Sequence, residues 1–309
     1  MGKLAFVFSG QGAQYEGMGA ELCRRSAAAR RVFDTADGVR EGTSKQCFTA
    51  GKEALAVTAN TQPCVFCVDL AAAMSLREAG VTPDAVAGFS LGEVAALTFA
   101  GVFTLQGGFA FVCRRAYVMQ RAAEKSGGGM MAVLGLPDER VERLCEGFEK
   151  VYPVNYNCPG QLVVAGDRDE LSVFREAVRA AGGKAVPLLV GGGFHSPFMD
   201  EAAQEIAVEL AAFALEPPEV PVYANSTALP YGGDMKALLS RQVNSPVLWR
   251  RTIEQMVADG IDTFVETGPG KTLCGLIKKT APGATVYNVE DEASLVAALA
   301  ALCKGERQC

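Results

Sequence analysis

The sequence predicts an α/β fold with a mostly parallel sheet and helices on both faces of that sheet. Short apolar runs, which suit strands buried on both faces, alternate with longer stretches of helical pattern along the chain. Glycine-rich segments at 127–129 and 191–193 bracket a region in which the elements follow a different order. With 309 residues, the chain can form one large domain or two modest ones.

Five apolar runs are the predicted strands of the parallel sheet. The first, residues 4–8 (Leu-Ala-Phe-Val-Phe), is apolar at every position and ends in a glycine-rich turn. The other four strands are predicted at 85–88, 220–225, 263–266 and 284–289. The helices predicted around them are residues 18–36, 62–79, 91–100, 105–125, 200–215, 235–242, 247–258, 272–279 and 292–302.

The region between the two glycine segments has its own pattern. Strands are predicted at 130–136, 151–157, 161–165 and 184–190, and helices at 137–149 and 169–181. The resulting order, β-α-β-β-α-β, is that of ferredoxin-like folds. We therefore predict an inserted ferredoxin-like subdomain at residues 129–192, and a body formed by residues 1–128 and 193–309. The flanking glycines predict that the subdomain can rock against the body.

The composition is that of an ordinary globular protein, with 49% hydrophobic and 21% charged residues. A net charge of −6 disfavours nucleic acid as a partner, and no apolar run is long enough to predict a membrane span. The ten cysteines are scattered, and no cluster with histidine predicts a metal site. Cys64 and Cys67 form a C-x-x-C pattern, but its apolar helical surroundings favour packing over a redox or zinc site. We predict a soluble, cytoplasmic protein with reduced thiols.

Residues 88–92 (Gly-Phe-Ser-Leu-Gly) form a Gly-x-Ser-x-Gly pattern between a predicted strand and a predicted helix. Small residues on both sides of Ser90 allow a sharp turn that lifts the hydroxyl clear of the backbone. The free N–H groups at the start of the helix, beginning with Leu91, suit a developing negative charge. The same pattern also occurs in ordinary glycine turns, so other parts of the chain must distinguish the two interpretations.

His195 is the single histidine of the sequence. A serine nucleophile needs a base that titrates near neutrality, and histidine is the usual one. A lone histidine can instead be structural, but this one follows three glycines next to a loop, where filling a core is less natural. A Ser90–His195 pair therefore predicts acyl-group chemistry. No aspartate partner is evident, since Asp200 belongs to the following helix, so a backbone carbonyl is expected to orient the imidazole.

A second glycine-rich turn, residues 9–14 (Ser-Gly-Gln-Gly-Ala-Gln), follows the first strand. It lacks the Lys-Ser/Thr end of a phosphate-binding loop and the third glycine of a dinucleotide fingerprint, so nucleotide binding is not predicted. Ligands collect at the carboxyl ends of parallel strands, where this turn lies. Gln11 is therefore the candidate for a second backbone donor to an oxyanion.

Five segments in order resemble those of malonyl-CoA:acyl carrier protein transacylases. They are residues 10–14 (Gly-Gln-Gly-Ala-Gln), 88–93 (Gly-Phe-Ser-Leu-Gly-Glu), 193–197 (Gly-Phe-His-Ser-Pro), 242–247 (Gln-Val-Asn-Ser-Pro-Val) and 266–271 (Glu-Thr-Gly-Pro-Gly-Lys). The resemblance spans essentially the full chain and implies an α/β-hydrolase-like body with the inserted ferredoxin-like subdomain. It also implies transfer of malonyl from malonyl-CoA to Ser90, and then to the phosphopantetheine thiol of an acyl carrier protein, without a permanently bound cofactor.

The resemblance also implies roles for the residues at matching positions. Ser90 is the nucleophile and His195 its base, with the backbone carbonyl of Gln242 holding the imidazole. The backbone N–H groups of Gln11 and Leu91 supply the oxyanion hole.

Arg115 matches the arginine with which the family binds the malonyl carboxylate. A guanidinium suits this role because its planar fork can pair with both carboxylate oxygens. Arg114 is the adjacent alternative, and neighbouring helical residues point about 100° apart, so only one of the two can face the site.

Two aromatic residues adjoin the predicted nucleophile and base. Phe194 precedes His195 and favours malonyl over α-branched acyl groups, by the similarity to polyketide synthase acyltransferases. Phe89 stands where many family members have histidine, and it cannot form the corresponding hydrogen bond.

The predicted function is malonyl transfer to acyl carrier protein in fatty acid synthesis. A free-standing acyltransferase of a polyketide synthase would use the same chemistry. A serine thioesterase or other hydrolase also fits Ser90 and His195, although plain ester cleavage does not need the carboxylate anchor at Arg115.

Overall fold

Two separate sheets organise the chain in the computed structural model, which describes residues 2–303. The larger sheet is parallel and the smaller one antiparallel, so the predicted combination of an α/β body and a second, ferredoxin-like sheet is confirmed. The nine strands of the described residues are β1 (Lys3–Phe8), β2 (Ala85–Gly88), β3 (Gly129–Leu134), β4 (Val151–Cys158), β5 (Gln161–Gly166), β6 (Lys184–Pro187), β7 (Val222–Tyr223), β8 (Ile261–Thr267) and β9 (Thr285–Val289).

Helices connect most of these strands. The α-helices are α1 (Ala20–Arg25), α2 (Ala27–Val39), α3 (Thr43–Thr49), α4 (Lys52–Ala56), α5 (Thr58–Glu78), α6 (Leu91–Phe99), α7 (Leu105–Ser126), α8 (Asp138–Cys145), α9 (Arg168–Ala180), α10 (Asp200–Ala211), α11 (Met235–Ser240), α12 (Trp249–Ala258), α13 (Thr272–Thr280) and α14 (Glu292–Cys303). Short 3₁₀-helices span Pro197–Met199 and Arg241–Asn244. Among the described residues, none of the helices has both the length and the apolar character to cross a membrane.

The larger sheet has the strand order β7-β2-β1-β8-β9 and is buried on both faces. Alternate residues of β1 point to opposite sides, as the two-residue period of a strand requires. Phe6 and Phe8 pack in a core with α5 and α6, whereas Val7 packs in a second core with Trp249 and Ile253 of α12. This two-sided burial explains why β1 is apolar at nearly every position.

The smaller sheet has the order β4-β5-β3-β6, with α8 and α9 connecting its strands. This is the ferredoxin-like arrangement predicted for the inserted region. Its edge strand β4 is joined to the segment before α12, because the Tyr156 N–H donates to the Val247 carbonyl (2.9 Å) and the Val247 N–H donates to the Val154 carbonyl (2.8 Å). The division into a body and a subdomain at 129–192, and any rocking between them, stay predictions.

Several element boundaries differ from those predicted. The predicted helix 18–36 is two helices, because the Ser26 backbone is extended and its hydroxyl accepts from the Ala29 N–H (3.0 Å), which caps the start of α2. Helices α3 and α4 were not predicted. The predicted strands 184–190 and 220–225 shrink to the short β6 and β7, since the regular pairing with β3 and β2 covers only those residues.

The cysteines of α5 behave as packing residues. Cys64 and Cys67 are both fully buried in the apolar core. All eight cysteines whose side chains the structure describes are free thiols.

The tightest backbone packing lies where β2 turns into α6. A Cβ atom on Gly88 would stand 1.9 Å from the carbonyl carbon of Gly92 and 2.0 Å from its oxygen. Gly88→Ala is therefore expected to lower the free energy of unfolding by about 3 kcal/mol or more, because backbone has to move to relieve the clash. Urea denaturation followed by circular dichroism measures the change.

Gly275→Ala is the control for this substitution. Gly275 lies on the exposed face of α13, with no atom within 4 Å of the added Cβ. Alanine should raise stability there by about 0.5–1 kcal/mol, since it lowers the entropic cost of helix formation. Equal stability of the two variants would contradict the close approach at Gly88.

Candidate active site

Ser90 lies in a strained turn between β2 and α6. Its φ of 55° is in the left-handed region, which non-glycine residues rarely adopt. Asn225 supports the turn from both sides, since its Oδ1 accepts from the Ser90 N–H (2.7 Å) and its Nδ2 donates to the Gly88 carbonyl (2.6 Å). The Ser90 side chain is consequently held in one place at the carboxyl end of the parallel sheet.

His195 lies in contact with the Ser90 hydroxyl, with 2.7 Å between Nε2 and Oγ. Its Nδ1 is 3.0 Å from the Gln242 carbonyl and 3.2 Å from that of Ser245. Carbonyls only accept hydrogen bonds, so Nδ1 carries the proton and Nε2 accepts from Ser90. The two carbonyls thus select the imidazole tautomer that leaves a free base toward the hydroxyl.

Burial keeps the imidazole neutral. His195 is almost fully buried, and this desolvation, together with the neighbouring Arg115 guanidinium, lowers its pKa from 6.5 to about 4. The carbonyls of Gln242 and Ser245 favour the charged form, but their effect is smaller. At neutral pH, His195 is therefore a neutral base hydrogen-bonded to a hydroxyl.

Arg115 is 1% exposed and points into the same site. Its guanidinium donates to Gln62 Oε1 (2.6 Å) and Gln242 Oε1 (2.8 Å), and lies 3.4 Å from Ser90 Oγ. Arg114 instead faces outward, with a 64% exposed side chain 4.0 Å from Glu209. The structure therefore brings Arg115, and not Arg114, to Ser90.

A cleft of about 490 Å³, open to solvent, gives access to these groups. Gln11 and Phe194 line it together with Ser90 and His195. A larger cleft of about 750 Å³ adjoins it, and Gln11 and Phe89 line both. Both clefts are lined mostly by apolar surface, and the smaller one includes Ser90 in its wall.

Phe89 is explained by packing. Its ring meets that of Trp249 edge to face, with 5.5 Å between the ring centroids. Phe89 thus supplies an apolar wall to both clefts, packed on Trp249 of α12, where a hydrogen-bonding group would otherwise stand.

The two backbone donors expected near the hydroxyl occupy neighbouring strand ends. Leu91 is the first residue of α6, where backbone N–H groups have no partner within the helix. Gln11 lies in the turn after β1, the strand that pairs directly with β2, and its side chain is fixed on Thr58 (Nε2 to Oγ1, 3.2 Å). The fold thus brings both residues to the sheet edge that carries Ser90.

The chain is similar to known acyltransferases over nearly its whole length. The acyl transferase domain family matches residues 5–299. A relative from Bacillus subtilis, named malonyl CoA-acyl carrier protein transacylase, is 38% identical over 287 residues, which are 90% of each chain. The chain belongs to the malonyl-CoA:acyl carrier protein transacylase family.

Solved structures of transacylases superpose closely on the whole chain. The malonyl CoA-acyl carrier protein transacylase from Clostridium perfringens has a TM-score of 0.94, 36% identity and 98% coverage of both chains. A second structure, of a malonyl-transacylase in complex with its type II polyketide synthase acyl carrier protein, has a TM-score of 0.93 and 33% identity. It covers 97% of this chain and 99% of its own.

Three polar residues of this candidate site were not anticipated from the sequence. Gln62 contacts Arg115, Asn225 holds the Ser90 turn, and Glu93 accepts from the Asn225 N–H (2.9 Å). All three are buried. The available signal was a lone polar residue within an apolar run, as at Glu93, because buried polar groups require partners.

The single histidine gives a direct test of the electrostatics. In untagged folded protein, the imidazole NMR signal of His195 is expected to titrate with a midpoint near 4 instead of 6.5, because the buried site disfavours the cation. The same titration in urea should return the ordinary value, and His195→Gln should lack the signal. A midpoint near 6.5 in the folded protein would contradict the burial argument.

Proposed function

We propose that this protein transfers the malonyl group of malonyl-CoA to the phosphopantetheine thiol of an acyl carrier protein, through a malonyl ester on Ser90. The observation that carries the proposal is the convergence of a base and a cation on one hydroxyl. His195 Nε2 lies 2.7 Å and the Arg115 guanidinium 3.4 Å from Ser90 Oγ. Supply of extender units for fatty acid synthesis is the pathway we favour.

The first half-reaction loads Ser90. His195 Nε2 takes the hydroxyl proton as Oγ attacks the thioester carbonyl of malonyl-CoA, and the negative charge moves to the carbonyl oxygen. The backbone N–H groups of Leu91 and Gln11 stabilise that oxyanion. When the intermediate collapses, the C–S bond breaks, and the imidazolium returns its proton to the coenzyme A thiolate.

The second half-reaction reverses these roles with a new thiol. The phosphopantetheine sulfur of the carrier gives its proton to His195 and attacks the malonyl ester carbonyl. The bond from the carbonyl carbon to Ser90 Oγ then breaks, and Oγ recovers the proton from the imidazolium. The Gln242 carbonyl keeps the imidazole oriented through both half-reactions. Because Ser90 and His195 carry every bond and proton change, the proposed mechanism needs no permanently bound cofactor.

Arg115 is proposed as the anchor of the malonyl carboxylate. Its buried Nε–H has no hydrogen-bond partner among the described residues, and a substrate oxygen would satisfy it. Gln62 and Gln242 hold the guanidinium in place before substrate arrives. Phe194, buried on the cleft wall, is proposed to limit branching next to the thioester.

A polyketide pathway is the second candidate, supported by the likeness to the transacylase in complex with its type II polyketide synthase acyl carrier protein. The chemistry at Ser90 would be the same, and the identity of the carrier would differ. A thioesterase is less well supported, because a buried arginine beside the nucleophile is unnecessary for ester cleavage. Cytoplasmic location stays a prediction.

Labelling of Ser90 tests the proposed function. Incubation with labelled malonyl-CoA should leave a stable malonyl group on the wild type, discharged on addition of acyl carrier protein. Ser90→Ala should take up no label, whereas Ser172→Ala, on the exposed face of α9, should behave as wild type. Mass spectrometry identifies the modified residue. Rapid release of free malonate without carrier would favour a hydrolase instead.

Substitution of Arg115 tests the carboxylate anchor. Arg115→Ala should reduce the preference for malonyl-CoA over acetyl-CoA by roughly thirty- to several-thousand-fold, the range expected when a buried charge loses its partner. The ratio of kcat/KM for the two donors measures it. Arg114→Ala is the matched control, and it should keep the wild-type ratio because its side chain faces solvent. Unchanged selectivity of Arg115→Ala would contradict the assignment.

A further inference from the structure

Glu93 is a buried carboxylate that the proposed mechanism does not use. It lies in the first turn of α6, three residues after Ser90, and is 1% exposed. Its Oε2 accepts from the Asn225 N–H (2.9 Å) and from Gln242 Nε2 (3.3 Å), and its Oε1 accepts from the Tyr231 hydroxyl. A buried carboxylate is costly unless it is paired, so its surroundings point to a function.

One branch of these contacts leads to Arg115. The Gln242 side chain lies between the two charges, donating to Glu93 and accepting from the Arg115 guanidinium at 2.8 Å. The same amide also donates to the Ser90 carbonyl (2.6 Å). Glu93 and Arg115 are therefore opposite buried charges bridged by the Gln242 amide. Both charges favour the same orientation of that amide, with its oxygen toward Arg115 and its NH2 group toward Glu93.

The other branch leads to the nucleophile turn. The Asn225 backbone N–H donates to Glu93, and its side chain is hydrogen-bonded to the Gly88 carbonyl and the Ser90 N–H. A strained φ like that of Ser90 persists only where surrounding contacts over-determine it. Glu93 thus contacts both of the groups that position Ser90 and Arg115.

The two charges affect each other's ionisation. Burial raises the pKa of Glu93 to about 7, and Arg115 opposes that rise. Burial lowers the pKa of Arg115 to about 10, and Glu93 opposes that fall. The other titratable groups near the pair are Tyr231, whose pKa is raised well above its ordinary value, and His195, whose pKa is lowered to about 4. Of these groups, Glu93 is the one expected to change charge between pH 6 and 8.

We infer that Glu93 is a positioning residue and the resident counter-charge of Arg115, and that its charge sets how strongly the site prefers an acyl group bearing a carboxylate. The inference rests on the proposed function. An incoming malonyl carboxylate shares Arg115 with Glu93 and is repelled by it, whereas an acetyl group is not. Neutral Glu93 leaves Arg115 without a counter-charge and increases the preference for malonyl.

The test is the pH dependence of donor selectivity. The malonyl-to-acetyl ratio of Ser90 acylation rates is measured from pH 6 to pH 8 by single-turnover labelling with each CoA ester. Titration of His195 affects both donors alike and cancels in this ratio. In the wild type, the ratio should fall by roughly three- to tenfold as Glu93 ionises.

Glu93→Gln removes the charge and can keep the hydrogen bonds, because the Tyr231 hydroxyl can accept where it now donates. The malonyl-to-acetyl ratio of Glu93→Gln should stay, from pH 6 to pH 8, at the value that the wild type has at low pH. Tyr231→Phe is the matched control: it keeps the carboxylate and removes one bond that lowers the pKa of Glu93. Its ratio should still fall with pH, with the midpoint moved to higher pH.

A ratio that is flat with pH in the wild type would overturn the inference. A second contradicting result would be that Glu93→Gln lowers both acylation rates equally and leaves the pH dependence of the ratio unchanged. That result is expected if the role of Glu93 is merely structural. If Glu93→Gln does not fold, the wild-type and Tyr231→Phe profiles decide. Absence of malonyl label on the wild type would overturn the proposed function as well, whereas normal labelling with flat selectivity overturns this inference alone.

Discussion

Close packing of backbone against backbone at the start of α6 is the constraint on which the site depends. A Cβ at Gly92 would lie 2.3 Å from the Phe8 carbonyl oxygen, and one at Gly88 would meet Gly92 itself. The first turn of α6 is therefore pressed against the carboxyl end of β1. This contact places Ser90 beside the turn that carries Gln11, and Ser90 adopts its positive φ there at a cost of roughly 1–3 kcal/mol. Asn225 offsets that strain through hydrogen bonds on both sides of the turn.

Burial of His195 and Arg115 away from water is the second physical feature that these residues share. The same burial that keeps His195 neutral makes the Arg115 charge expensive, so Arg115 is surrounded by amide acceptors from α5 and from the 3₁₀-helix at Arg241–Asn244. Besides Glu93, Gln242 contacts all three candidate reacting residues: its carbonyl accepts from His195, and its side chain accepts from Arg115 and donates to the Ser90 carbonyl. The orientations of His195, Arg115 and Ser90 are thus coupled through one residue.

The parts of this protein that follow from local sequence were predictable. Apolar continuity identified β1 and β2, and the glycine pattern located the turn at Ser90. Errors occurred where a side chain or a neighbouring strand decides the boundary. Ser26 divides a continuous helical pattern because its hydroxyl caps a new helix, and β7 is only two residues long because just Val222 and Tyr223 pair with β2. The hydrophobic periodicity of a sequence carries no information on a side-chain cap such as that of Ser26 or on the pairing of β7 with β2.

For the site, the sequence by itself determined the candidate reacting groups: a serine in a sharp turn, a single histidine and a pair of adjacent arginines. Only the tertiary structure decided between Arg115 and Arg114, added the Ser245 carbonyl to the expected Gln242 carbonyl at the imidazole, and showed that Phe89 packs on Trp249. It also revealed Gln62, Asn225 and Glu93. The physical reason is distance along the chain. Residue type and backbone conformation depend on near neighbours, whereas Ser90 meets His195 across 105 residues and Gln242 across 152. Such partners are chosen by the packing of the whole fold.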